Sequence, residues 1–316
     1  MRLAEKTLAF SLICLLILTP CASAWDGVGH MAVAYVAYQH LSPATKTRAN
    51  KLIRLNPDYH KWLATIPQGT PAAKRKMMIF MIAATWPDQI RSKPGYTDDG
   101  TQGGNRPDGA TSVQNIGYPD HLHHKYWHFV DTPFSTDGTA LPAIPTPNAG
   151  TQIATFRSVL ASTESDKLKS YDLVWLLHLV GDVHQPLHAA TRVSSTDPQG
   201  DNGGNKVMLC TAPCKNELHA FWDNLLGTGS SPATAITVGK SLPDANSTLA
   251  AKKDAADWIK ESFDAAQSDV YVTPVGAGDG PFTLTTAYRN AAKDTAKQRV
   301  ALAGVRLANL LNDELK

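Results

Sequence analysis

The chain runs to 316 residues, with 30 lysines and arginines against 28 aspartates and glutamates, a formal charge of +2, and 43% apolar residues. So even a balance excludes a protein that holds nucleic acid through a broad basic field, because counterion release needs an evident excess of cations. Any affinity for phosphate would come from a local source such as bound metal, and with no internal repeat or linker-like stretch the length reads as one domain.

Residues 1–24 read as an export signal. Arg2 and Lys6 make a basic start, 8–18 is a mostly apolar run too short for a membrane span, and Ala22-Ser23-Ala24 offers a small-residue cleavage site. A lipid on Cys21 is disfavoured by Pro20 before it. Cleavage after Ala24 leaves a domain over 25–316, expected to be secreted or periplasmic and monomeric. No later apolar run is long enough to span a bilayer, so no stable membrane association is expected.

Most segments beyond residue 24 have helical spacing, and the fold class expected is all-α, a single-domain multi-helix bundle with long loops. Apolar residues over 31–40 recur at helical intervals, and Ser42-Pro43 opens a second helix as cap and first-turn residue. A third helix covers 72–84 and ends near Pro87; a fourth covers 151–162. The stretch 171–185 is the most apolar and reads as central. Helices over 216–226, 249–266 and 288–311 complete the set, the last with a clear 3.6-residue period. Strand signals are weak, although 206–210 suits one arm of a small β-hairpin. Between these lie connections rich in Gly, Pro, Asp and Asn at 92–125, 132–150 and 276–280. The first is long enough to suggest a functional or disordered loop. Its His121, His123 and His124 read as exposed. Cys14 and Cys21 leave with the signal. Cys210 and Cys214 are expected to form a disulfide closing a short loop, since no second cysteine pair supports a thiolate zinc site.

The candidate chemistry sits in six clusters. In the first, Trp25-Asp-Gly-Val-Gly-His30, a freed amine and the carbonyl of residue 25 could chelate a metal in a five-membered ring. The amine must be neutral to bind, and its ordinary pKa is about 8. The two glycines allow a turn that brings His30 back. The second, Trp86-Pro-Asp88-Gln-Ile-Arg91, would alone read as a surface ion pair. His128, in Tyr126-Trp-His128-Phe-Val, would alone read as a core histidine, and Asp201-Asn-Gly-Gly-Asn205 as a turn.

The segment His178-Leu-Val-Gly-Asp182-Val-His184-Gln-Pro-Leu-His188 carries the strongest signal. It sets three imidazoles and a carboxylate, the preferred ligands of zinc, among apolar neighbours. His178 and Asp182 share a helical face, and Pro186 should break the helix ahead of His188. So many polar groups in an apolar helix are costly unless something pairs them. The sixth cluster, His219-Ala-Phe-Trp-Asp223-Asn224, repeats the four-residue spacing. Two such pairs on separate helices suit a metal site inside a bundle.

Together and in this order, these motifs resemble the zinc-dependent single-strand nucleases of the S-one/P-one type. The resemblance covers nearly all of 25–316. It rests on a Trp at the trimmed start with His30 five residues on, Trp-x-Asp-x-x-Arg, Gly-Asp-x-His-Gln-Pro-Leu-His, and His-x-x-x-Trp-Asp. It implies a phospholipase C/nuclease-like fold and three zinc ions. Asp88, His128, His178 and Asp182 would hold the first, and His188, His219 and Asp223 the second. The amine and carbonyl of Trp25, with His30 and Asp182, would hold the third. Arg91 would face the scissile phosphate, Asp88 and Arg91 forming the catalytic edge. Asn224 would lie near a bound base, while His184 would be structural or support the ligands. The implied activity is endonucleolytic hydrolysis of single-stranded DNA and RNA by a zinc-activated hydroxide, giving 5′-phosphorylated products, with 3′-nucleotidase activity as a family expectation.

Trp86, Trp127 or the 92–125 loop are candidates for a base-stacking face, with core packing the commoner fate of a tryptophan. The stretch between Asp88 and His128 is longer than the family pattern suggests, which predicts an extended rim loop. Two rivals are a zinc phospholipase C and a non-catalytic zinc-binding secreted protein. Asp223 within His-x-x-x-Trp-Asp speaks against the first; Arg91 and the full ligand set speak against the second.

Overall fold

The computed structural model describes residues 25–100, 109–211 and 216–315. The expected signal at 1–24 and the Cys210–Cys214 pairing, through Cys214, fall outside the described residues. Twelve α-helices appear among those described: α1 Gly27–His40, α2 Pro43–Ile53, α3 Tyr59–Thr65, α4 Ala72–Ala83, α5 Trp86–Gln89, α6 Ala149–Ala161, α7 Asp166–Asp182, α8 Leu218–Asp223, α9 Pro232–Lys240, α10 Ser247–Ala250, α11 Ala255–Ala265 and α12 Thr286–Glu314. The fold is all-α, as expected. None of the described helices is long and apolar enough to cross a membrane.

Helix α7 is the axis of the molecule. Ser165 caps its start by accepting the Leu168 N–H, and every residue from Lys169 to Asp182 is buried. A helix apolar all round must be enclosed on all sides; here α1, α2, α5, α6 and α12 surround it. Around Trp175 the rings of Trp86, Trp127, Phe156 and Tyr171 meet with centroids 5.1–6.4 Å apart, mostly edge-on, the arrangement that ring quadrupoles favour. Trp86 and Trp127 are fully buried. Neither therefore offers the stacking face considered from sequence; packing outweighs exposure for side chains this large.

Several expected elements differ at their ends. Pro87 does not close α4. It sits in the first turn of α5, where its missing N–H costs nothing. The helix expected over 249–266 is interrupted, with Asp254 capping a fresh start at α11. Helices α3 and α9 lie outside the expected set; at 7 and 9 residues each is too short to show a helical period. The one regular sheet among the described residues pairs β1 (Pro133–Ser135) with β2 (Thr191–Val193) in parallel. The hairpin arm expected at 206–210 is reduced to a single antiparallel bridge, Met208 to Glu217. Pro186 behaves as expected: α7 ends at Asp182, and Pro186 opens a 3-10 turn over Pro186–His188.

The described parts of the 92–125 connection are pinned to α7 rather than loose. Tyr118 Oη lies 2.8 Å from Ser170 Oγ, and Asn115 Nδ2 donates to Asp172 Oδ2 at 3.0 Å. His121 is exposed, but His123 and His124 are buried, against the exposed reading of all three. His124 stacks on Trp127 at 3.5 Å and lies 2.8 and 2.7 Å from the carboxylates of Asp99 and Asp120. Burial alone would lower its pKa, yet the hydrogen bonds to those two acids raise it.

Asp172 supplies a test of this packing. Burial pushes its carboxyl up to about 8, only partly offset by the Asn115 hydrogen bond, and its Oδ1 has no hydrogen bond among the described residues. A folded-state pKa above the unfolded value means that the fold holds an extra proton between about pH 4 and 8. The stability tied to that proton is full below about pH 4 and is lost as pH rises to about 8. Asp172→Asn is therefore expected to raise the melting temperature, by an amount that grows from pH 4 to pH 8. Thermal scans across that range check it; a pH-independent difference would refute the assignment.

Candidate metal centre

Seven imidazole and carboxylate side chains from α5, α7, the 3-10 turn, α8 and the segment before β1 converge at the C-terminal end of α7, and α1 adds His30. Helical spacing puts His178 and Asp182 on one face, where His178 Nε2 lies 3.3 Å from Asp182 Oδ2. His128 Nδ1 stands 3.0 Å from the same oxygen and 2.9 Å from His178 Nε2. Asp88 Oδ1 closes the set at 3.7 Å from His178 Nε2 and 4.0 Å from His128 Nδ1. These are the four residues expected for a first ion.

A second set forms beside it. His188 Nε2 and His219 Nε2 are 3.0 Å apart, and Asp223 Oδ2 lies 3.4 Å from the latter. His30 occupies the opposite side of Asp182. Its Nε2 is 3.3 Å from Asp182 Oδ1, and its ring stacks on His178 with centroids 3.8 Å apart. Asp182 thus turns one oxygen to the His128–His178 pair and the other to His30.

The rings are aimed by backbone carbonyls. His178 Nδ1 donates to Ala84 O at 2.7 Å, His188 Nδ1 to His128 O at 2.8 Å, and His219 Nδ1 to Gly203 O at 2.7 Å. Each bond fixes the tautomer that leaves Nε2 as a lone-pair donor facing the cluster. The carbonyl serving His219 belongs to the Asp201–Asn205 turn. Asp201 Oδ1 accepts the Arg192 and Gly204 N–H groups, and Oδ2 accepts the Tyr271 hydroxyl. Gly203 there has φ 60°, and a Cβ would stand 2.3 Å from Leu187 O. The turn read from sequence is real, and it positions a ligand.

Burial drives the electrostatics. It lowers His30, His128 and His188 well below the usual imidazole range, and takes His178 down to about 3 and His219 to about 4. All five are neutral near pH 7, the form that ligates metal. The same burial raises the carboxyls of Asp182 and Asp223, with Asp88 adding repulsion to both. Three carboxylates face one guanidinium, Arg91, whose Nη1 lies 3.5 Å from Asp88 Oδ1. Both His30 ring nitrogens, Asp88 Oδ1, His128 Nε2 and Asp182 Oδ1 are buried with no hydrogen bond among the described residues. Converging neutral imidazoles, unsatisfied buried polar atoms and a shortfall of positive charge among the described residues fit divalent cations with nitrogen and oxygen preferences.

Trp25 packs beneath this cluster, fully buried, with its indole Nε1 donating to Gly181 O at 3.0 Å. The adjoining Asp26 N–H donates to Asp223 O at 3.0 Å. The two glycines of this stretch serve close approach rather than a turn: they lie in α1, and a Cβ on Gly29 would meet Trp25 Cβ at 2.5 Å. His184 points away, between Val180 O and Arg306 Nη1, in the structural role expected of it. Asn224 is exposed at the C-terminal end of α8.

A family model described as S1/P1 Nuclease matches residues 25–316. The chain belongs to the S1/P1 nuclease family. That family places it among metal-dependent hydrolases of nucleic-acid phosphodiester bonds. Nuclease S1 of Aspergillus oryzae is 23% identical over 309 residues, an alignment spanning 91% of each chain. Nuclease P1 of Penicillium citrinum is 23% identical over 313 residues, 92% of this chain and 97% of its own. Endonuclease 4 of Arabidopsis thaliana is 30% identical over 179 residues, 50% of this chain and 56% of the plant protein, so about half the length of that relative is matched.

A residue overlooked in the sequence is Gln185. It lies inside the Gly-Asp-x-His-Gln-Pro-Leu-His motif, but its amide gave no reason to expect contact with α8. Its Nε2 donates to Asp223 Oδ1 at 2.8 Å.

Proposed function

We propose that this S1/P1 family member is an exported zinc-dependent endonuclease. It acts, in this reading, on single-stranded DNA and RNA as a monomer, after removal of residues 1–24, in the periplasm or outside the cell. Asp88, His128, His178 and Asp182 would hold one zinc, and His188, His219 and Asp223 a second. His30 and Asp182 would hold a third with the amine and carbonyl of Trp25, once trimming makes that residue the first. Zinc supplies Lewis acidity and brings the pKa of water to about 7.

The chain's own groups do the rest. Arg91 and Asp88 form the most open edge of the site, their side chains 9% and 17% exposed, so the guanidinium is the group available to equatorial phosphate oxygens. The remaining ligands are buried. A phosphate reaches so recessed a cluster only if the bases beside it leave their stack, which favours single strands. Burial keeps the imidazoles unprotonated, so they do not compete for the proton released in hydrolysis. The products expected are 5′-phosphorylated, and Asn224, exposed next to Asp223 at the end of α8, would meet a base.

The observation that carries this reading is Asp182, whose two oxygens face different imidazole sets. N-terminal sequencing and metal counting on the exported protein, with assays on single-stranded DNA and phosphatidylcholine, test it. A start at Trp25, three zincs per chain and release of 5′-phosphorylated nucleotides are expected. Faster lipid turnover without nucleotide release would make the protein a phospholipase C instead.

A further inference from the structure

We infer that Gln185 is a positioning residue that holds two ligands of the second ion site in register, an inference that rests on the proposed metal reading. Gln185 is fully buried between the end of α7 and the 3-10 turn. Its Oε1 accepts the Leu187 N–H at 2.5 Å, capping the turn that carries His188. Its Nε2 donates to Asp223 Oδ1 at 2.8 Å. One rigid amide therefore spans from the turn of His188 to a carboxylate on α8.

The orientation is forced by its partners. The Leu187 N–H can only donate, so the amide oxygen faces it and the Nε2 amide is left to donate to Asp223 Oδ1. A flipped amide would lose both bonds and face donor to donor and oxygen to oxygen. With Oδ1 engaged by Gln185, Asp223 turns Oδ2 towards His219 Nε2 and offers a cation a single oxygen. Other residue types fail for separate reasons. Asparagine is one methylene short. Glutamate keeps the acceptor for the Leu187 N–H but sets a carboxylate against a carboxylate. Methionine keeps the volume and makes neither bond.

Zinc affinity of the purified, trimmed protein, measured by competition with a chromogenic chelator for wild type, Gln185→Met and Gln185→Glu, tests this. The visible spectrum of the cobalt-substituted forms reports ligand geometry independently of activity. In both variants one of the three ions should bind about 10–100-fold more weakly, the other two should be unchanged, and the cobalt bands should change at one site. In an Asp223→Ala background the Gln185→Glu effect should fall to within about twofold, because the shared interaction is already gone. Three ions held with wild-type affinity, or all three weakened equally, would overturn the positioning role. Should Gln185→Met fail to fold, Gln185→Glu, which retains the turn cap, carries the test. A wild-type protein that binds no zinc would remove the metal reading itself, an outcome distinct from a wild-type site that Gln185 does not influence.

Discussion

Asp182→Asn is expected to strip the protein of tight binding for two ions at once and to lower nuclease activity by at least about 10³-fold, a loss of about 4 kcal/mol in transition-state stabilisation. The reason is geometric. Oδ2 stands 3.0 Å from His128 Nδ1 and 3.3 Å from His178 Nε2, while Oδ1 stands 3.3 Å from His30 Nε2. An amide is uncharged and replaces one of these oxygens with an N–H donor, so both imidazole sets lose their anionic partner and, whichever way it turns, one of them meets a proton. The remaining carboxylates, Asp88 and Asp223, lie on other elements and cannot take its place. Asp172→Asn is the control: an equally buried acid earlier on α7, bonded to Asn115 and not to the cluster, whose loss should leave turnover nearly unchanged. Metal counting beside a single-stranded DNA assay reads both. Three ions retained and activity within about tenfold of wild type would refute the bridging role.

Chelation should lower the melting temperature by about 15 °C or more, and added zinc should restore it. An ion present at about a thousandfold over its dissociation constant stabilises a fold by about 4 kcal/mol. Three such ions reach the order of 10 kcal/mol, and each kcal/mol shifts a domain of this size by about 2–4 °C. Without ions, both His30 ring nitrogens, His128 Nε2, Asp88 Oδ1 and Asp182 Oδ1 also stay buried with no hydrogen bond among the described residues, which is costly on its own. Differential scanning calorimetry with and without chelator measures the effect. A shift under about 3 °C would show that these residues do not bind structural ions.

Much of the site was legible because its spacing follows from helix geometry. His178 with Asp182 and His219 with Asp223 repeat a four-residue interval, and in each pair the ligand atoms meet at 3.3–3.4 Å. Pro186 announced the break before His188 because its ring cannot continue a helix. His128 was harder: a histidine among aromatics has no local mark of a ligand, and only its motif neighbours singled it out. His124 was misread for the converse reason. Its setting in a polar loop suggested exposure, whereas Trp127, Asp99 and Asp120 enclose it.

Local pattern was enough for the all-α class, the ligand-bearing helices and the residue types able to bind metal, since each depends on intervals of a few residues along one element. Asp182 lying between two imidazole sets, Gln185 reaching Asp223 across 38 positions, Gly203 O aiming His219, and Trp86 and Trp127 being core were settled by the folded chain. Those facts depend on which distant segments pack against α7, and the energy of such packing resides in contacts that no short stretch of sequence encodes.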